Sequence, residues 1–114
     1  MRQWVALIVD REPECIERAK EFLQTLPKMA TLLCGGERAA DAEIVDFAEE
    51  CGLKVMTYVP DREGEGAEAG VRRNHDMVDD ADRLVVIHKG KGWGVQSTLK
   101  YAAEQKKKVE AIRV

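Results

Sequence analysis

Apolar residues in this chain fall into two alternating kinds of run: short continuous blocks, and longer stretches with a 3.6-residue period. Val5 to Val9 is an unbroken β-branched and aliphatic block, as expected of a strand covered on both faces. Pro13 follows where the first turn of a helix accepts it, and Ile16, Ala19, Leu23 and Leu26 recur at helical spacing until Pro27 stops the pattern. Ala30 to Cys34 predicts a second strand, closed by Gly35 and Gly36. From Glu37 the helical period returns through Ala40, Ile44, Phe47, Ala48 and Cys51, with Gly52 suited to the position just past a helix end. Lys54 to Val59 predicts a third strand, closed by Pro60.

The stretch Asp61 to Gly70 breaks the rhythm: three glycines and four acidic residues predict a mobile loop. A helix carrying Met77, Val78 and Ala81 should follow it, then a fourth strand from Arg83 to His88. Lys89 to Gly94 is a second glycine-rich turn, with Gly90, Gly92 and Gly94 in alternation. The next helix places Val95, Leu99 and Ala102 on one face and ends in Lys106 to Lys108, where positive charge suits the helix dipole. Val109 to Val114 predicts the last strand.

Strands and helices alternating over short connections imply parallel strands, right-handed crossovers and helices on both faces. The expected fold is a Rossmann-like three-layer α/β/α sandwich. Its five-stranded, mainly parallel sheet should run in the order 3-2-1-4-5, within a single domain spanning residues 1–114.

At 114 residues the chain can bury a real core without staples. Its net charge of -3 argues against a general electrostatic grip on DNA or RNA. With only two each of Phe, Trp and Tyr, base stacking along a single strand is also disfavoured. No stretch approaches the ~20 apolar residues of a membrane span, and Asp10 and Arg11 end the first apolar block too early for a signal peptide. Cys15, Cys34 and Cys51 lack C-x-x-C spacing, so neither a disulfide framework nor a metal site is expected. Reduced thiols fit a cytoplasmic protein.

In open α/β sheets ligands bind beyond the carboxyl ends of the strands, where strand order reverses. The order 3-2-1-4-5 opens that crevice between strands one and four. Asp10, Arg11, His88 and the Gly90 to Gly94 turn should lie there, beside Cys34, Gly35 and Gly36. Two glycine-rich turns entering helices, with Arg11 and Lys89 nearby, are the parts of an anion site, although such turns also arise from plain geometry. Neither is a Walker A motif or a G-x-G-x-x-G fingerprint.

From Gly35 to Val114 the sequence resembles the SLOG superfamily, the Rossmann-like group that includes the LOG and DprA proteins, and within it the short YspA-like branch. Gly35-Gly36-Glu37-Arg38-Ala39-Ala40-Asp41 is similar to the family's G-G-A-x-G-x-D segment. Ala69 to Met77 is similar to A-G-P-x-R-N-x-x-M, with Val71 in place of proline. Ala81-Asp82-Arg83-Leu84-Val85 resembles the A-D-x-V strand entry, and Gly92-Trp93-Gly94-Val95 a G-x-G-T turn whose threonine is here valine. The resemblance implies a nucleotide or nucleotide-derived ligand, with Arg11, Gly35, Gly36, Arg73, Asn74, Gly92, Gly94 and Val95 at its site. Val9-Asp10-Arg11 keeps only the arginine of the relatives' G-S-R loop. The P-G-G-x-G-T-x-x-E motif of nucleotide-cleaving LOG proteins is missing its paired glycines and its glutamate.

Several residues carry two readings. His88, at a strand end, would serve as a general base or simply as a hydrogen-bonded strand terminus. Asp10 would abstract a proton, hold a ribose hydroxyl or cap the first helix. Cys34 is either a stabilised thiolate before a helix or a small buried strand residue. Arg73 and Asn74, expected at the start of the third helix, belong to the site or are an exposed arginine and a loop-tying asparagine. Trp93 would stack on a base or mark an interface.

The leading expectation is a small nucleotide-binding sensor or carrier. Its alternatives are a hydrolase or transferase acting at a nucleotide sugar, and an interaction subunit with a degenerate pocket. A homo-oligomer paired through a helix face fits any of them.

Overall fold

The computed structural model describes residues 2–90 and 93–114, with the backbone alone at 93 and 94. Five parallel strands form one sheet in the order β3-β2-β1-β4-β5, as the sequence pattern predicts. They are β1 (Trp4–Val9), β2 (Thr31–Gly35), β3 (Lys54–Tyr58), β4 (Arg83–His88) and β5 (Lys108–Arg113). The connecting helices are α1 (Pro13–Thr25), α2 (Ala39–Glu50), α4 (Ala69–Asp80) and α5 (Trp93–Glu104). A short α3 (Arg62–Glu65) precedes α4.

Alternation along the strands divides the interior in two. Val5, Leu7 and Val9 of β1 join Leu32, Val85 and Ile87 beneath α1 and α2, where Ile16, Leu23, Ile44 and Ala48 close that core. Ala6 of β1 faces the other way, with Leu33, Leu84 and Val86 beneath Met77 and Val78 of α4 and Val95 and Ala102 of α5. This is the three-layer α/β/α arrangement. β2 is buried along its whole length, whereas β3 and β5 are the sheet edges and are largely exposed.

The segment expected to be a mobile loop is instead helical. α3 and a 3-10 turn (Gly66–Glu68) run directly into α4. Asp61 caps α3 by accepting the Gly64 N–H at 2.9 Å, and Gly66, at φ +62°, makes the left-handed step that redirects the chain. Arg73 and Asn74 therefore lie inside α4 rather than at its start.

The turn from α5 to β5 has a feature that composition alone would not suggest. The Lys106 N–H donates to Ala103 O at 3.0 Å and the Lys107 N–H to Ala102 O at 3.0 Å, the paired bonds of a Schellman ending. The residue such an ending holds in the left-handed region is usually glycine, yet here it is Lys106 at φ +58°. Lys106→Gly should stabilise the fold by about 1 kcal/mol in a denaturant titration. A loss of stability would mean that the lysine side chain outweighs the backbone strain.

Candidate functional site

At the carboxyl end of β2 the chain turns through Gly35, Gly36 and Glu37 into α2. A glycine turn entering a helix would offer free N–H groups to a phosphate, but here those groups are taken. The Gly36 N–H donates to Tyr58 O at 3.1 Å. The N–H groups of Glu37 and Arg38 both donate to Asp41 Oδ2, at 3.1 and 2.8 Å. Asp41, in the first turn of α2, thus supplies from within the anion that the helix N-terminus attracts. Arg38 donates through Nη2 to Asp41 Oδ1 and to Val9 O, each at 2.9 Å, and so ties α2 to the end of β1. Burial pushes the Asp41 carboxyl upward, but the hydrogen bonds and charge of Arg38, with the Glu37 N–H, outweigh it and hold the group below its ordinary range.

Gly35 has a different role from the one its turn suggests. A Cβ there would run into Arg73 Nη1 and stand 3.1 Å from Asp41 Oδ2. The missing side chain lets the guanidinium, reaching over from α4, lie against the strand end. Arg73 donates through Nε to Asn74 Oδ1 at 2.9 Å and through Nη1 to Tyr58 O at 3.3 Å. Asn74 in turn donates to Oγ1 of the fully buried Thr98 on α5, at 3.3 Å. Arg73 has no carboxylate within ion-pair distance among the described residues. Burial lowers its pKa, with the more distant Asp41 pulling the other way. Cys34, Gly35, Arg38, Asp41, Arg73 and Val9 line a crevice of about 20 Å³, room for roughly one water.

The β1/β4 boundary, where the strand order reverses, is laced together. The Asp10 N–H donates to Ile87 O at 3.0 Å, and Asp10 Oδ2 accepts the Lys89 N–H at 3.2 Å. Asp10 does not cap α1: Glu12 holds the cap position, with no side-chain bond. His88 Nδ1 accepts the Gly90 N–H at 2.8 Å, which leaves the proton of the neutral ring on Nε2. Gly90, at φ +84°, is covered by Arg113, whose Cζ would lie 2.7 Å from an added Cβ. Arg11 is exposed and enters no ion pair among the described residues. Val95 is 7% exposed and belongs to the core beneath α4 and α5, so its side chain faces no ligand at this edge. Gly92 lies outside the described residues, and of Trp93 and Gly94 only the helical backbone is described.

The structure therefore gathers Gly35, Gly36, Arg73 and Asn74 at one strand end and ties Asp10 to the turn that follows His88. Sequence reasoning passed over Arg38 and Asp41. The signal was present, because an acidic residue in the first turn of a predicted helix is a capping pattern.

Cys34 is 3% exposed, and burial followed by the charge of Asp41 pushes its thiol up to about 12. The thiolate reading is thus disfavoured and the buried-strand reading fits. At neutral pH a maleimide should label the half-buried Cys51 and spare Cys15 and Cys34 in the native protein, as peptide mass spectrometry would show. Rapid labelling of Cys34 would mean that the strand end opens readily.

Compared with known proteins, the chain gives no match to a family model, a curated protein or a solved structure.

Proposed function

We propose that the chain is a small binding module for a nucleotide or nucleotide derivative, held at the carboxyl edge of the sheet with Arg73 as its main anion contact. The observation that carries this reading is the state of Arg73. It is a partly buried guanidinium, fixed in place by Asn74 and Tyr58, with no carboxylate within ion-pair distance among the described residues. Four other cations of this edge are already paired: Arg38 with Asp41, Arg62 with Glu37, Arg72 with Glu65 and Lys89 with Glu14. A phosphate, two of whose oxygens can accept the paired N–H groups of a planar guanidinium, is the acceptor that such a group suits. The SLOG resemblance of the Arg73-Asn74 segment favours the same ligand class.

Binding rather than catalysis is favoured because the candidate catalytic groups are already engaged. Asp10 accepts the Lys89 N–H, and the Nδ1 of His88 accepts from Gly90. The crevice holds about one water, so a ligand phosphate would meet Arg73 at the mouth, with Arg38 released from Val9 O to make room.

A thermal-shift panel of nucleoside mono- and diphosphates, ADP-ribose, NAD and cyclic nucleotides tests the reading. A ligand at 100 times its Kd should stabilise the fold by about 2.7 kcal/mol. A flat panel would remove the reading and leave the interaction subunit as the better account.

A further inference from the structure

The opposite, amino-terminal edge of the sheet carries a groove of about 410 Å³ between the start of β1, the start of β4 and the α5–β5 turn. Its walls hold five cationic side chains, Arg2, Arg83, Lys106, Lys107 and Lys108, against the single carboxylate of Asp82. In a chain whose net charge is -3, this is a marked local inversion.

The one carboxylate does not neutralise the lysines. Asp82 receives both bonds from Arg2, each at 3.2 Å, and the Trp4 N–H at 2.9 Å. Lys107 is committed to the end of α4, where its ammonium donates to Ala81 O at 2.7 Å and to Asp79 O at 3.3 Å. That leaves Lys106 and Lys108, which enter no ion pair among the described residues. Arg83 makes a loose ion pair with Glu110 at 3.9 Å and lies over the Phe22 ring, 5.6 Å from its centroid.

Two further features set these cations in unfavourable positions. Lys106 holds a left-handed backbone conformation that glycine would adopt without strain. Arg83 and Lys108 are register partners on adjacent strands, so like charges stand side by side. The repulsion between Arg83 and Lys108 is the kind that a bound anion offsets.

We propose that this groove is a second ligand site, independent of the Arg73 edge, that takes a small oligophosphate between Arg83, Lys106 and Lys108. The ligand is multiply charged because Lys106 and Lys108 enter no ion pair among the described residues and Arg83 is only weakly paired beside them. It is small because the groove is bounded by Trp4, with Arg2 stacked 4.3 Å above its ring, and by the α5–β5 turn.

Inorganic tripolyphosphate, titrated calorimetrically into the full chain at low and moderate salt, is the test. The wild type should bind it with an affinity that falls as salt rises. Lys106→Gly should raise the melting temperature of the free protein while weakening binding several-fold, so that lost binding cannot be ascribed to lost folding. Lys106→Gly with Lys108→Gln should remove the site at this groove, and Arg18→Gln, at a cation of α1 paired with Glu21 outside both sites, should leave it unchanged. Equal binding by the wild type and the double variant would overturn the proposal, as would no binding at low salt. A single-stranded oligonucleotide that bound far more tightly than tripolyphosphate would overturn the assignment to a small ligand.

Discussion

Asp41→Ala should destabilise the fold by about 2–4 kcal/mol in chemical denaturation, more than any substitution of an exposed charge in this chain. The Asp41 side chain is 4% exposed, and its two oxygens take the N–H groups of Glu37 and Arg38 together with the Arg38 guanidinium. Removing it leaves two donors at a helix N-terminus without a partner and frees an arginine whose other anchor is Val9 O. Asp41→Asn should cost less, since an amide oxygen in place of Oδ2 still accepts the N–H groups of Glu37 and Arg38 while the amide nitrogen faces the Arg38 guanidinium unfavourably.

The same residue gives the stability curve a direction in pH. The folded state holds the Asp41 carboxyl below its ordinary value of 3.8. Its contribution is therefore present above that value and is lost as pH falls through the lower, folded-state pKa. Acid titrations of stability should show a steeper decline for the wild type than for Asp41→Asn, in which nothing at this position titrates. Parallel curves would place the acid sensitivity elsewhere.

The strand order and both cores were legible in the sequence because they rest on patterns that tertiary context rarely overrides. The block Val5 to Val9 serves two cores at once, Val5, Leu7 and Val9 to one side and Ala6 to the other, and such a block has few alternatives to a central parallel strand. Asp61 to Glu68 was not legible, because four acidic residues and two glycines look like loop by composition. What makes the segment helical is one capping bond at Asp61 and one positive φ at Gly66, both single-residue events.

The site was legible only in outline. The Gly35-Gly36 turn reads as a phosphate cradle from its local sequence, and local sequence cannot show whether the acceptor is a ligand or the protein's own Asp41. Arg73 reaches Gly35 from an element far along the chain, and that contact exists only once α4 has packed on the sheet. Val95 looked like a ligand contact by its place in a turn motif, but the start of α5 directs it into the core. At Gly35 the group in close approach is the Arg73 guanidinium, a contact that the local sequence does not announce.

Arg73→Met should separate binding from stability more sharply than any other substitution at this edge. Methionine keeps an unbranched side chain that fills the space over Gly35 while removing a partly buried charge that Asp41 offsets only from beyond ion-pair distance. The melting temperature of the free protein should therefore stay level or rise. The stabilisation by nucleotides should fall to that expected for about 100-fold weaker binding, the scale on which a phosphate loses its bidentate guanidinium. Arg73→Lys should recover only part of the response, because an ammonium keeps the charge but not the planar fork. Asn74→Ala would loosen Arg73 without touching the ligand, and its effect should be the smaller of the two. If Arg73→Met instead unfolds more easily while nucleotides stabilise it as strongly as the wild type, the guanidinium is a strut between α4 and Tyr58 O. The anion contact must then be sought at Arg11 or Arg113, which also lie at this edge and enter no ion pair among the described residues.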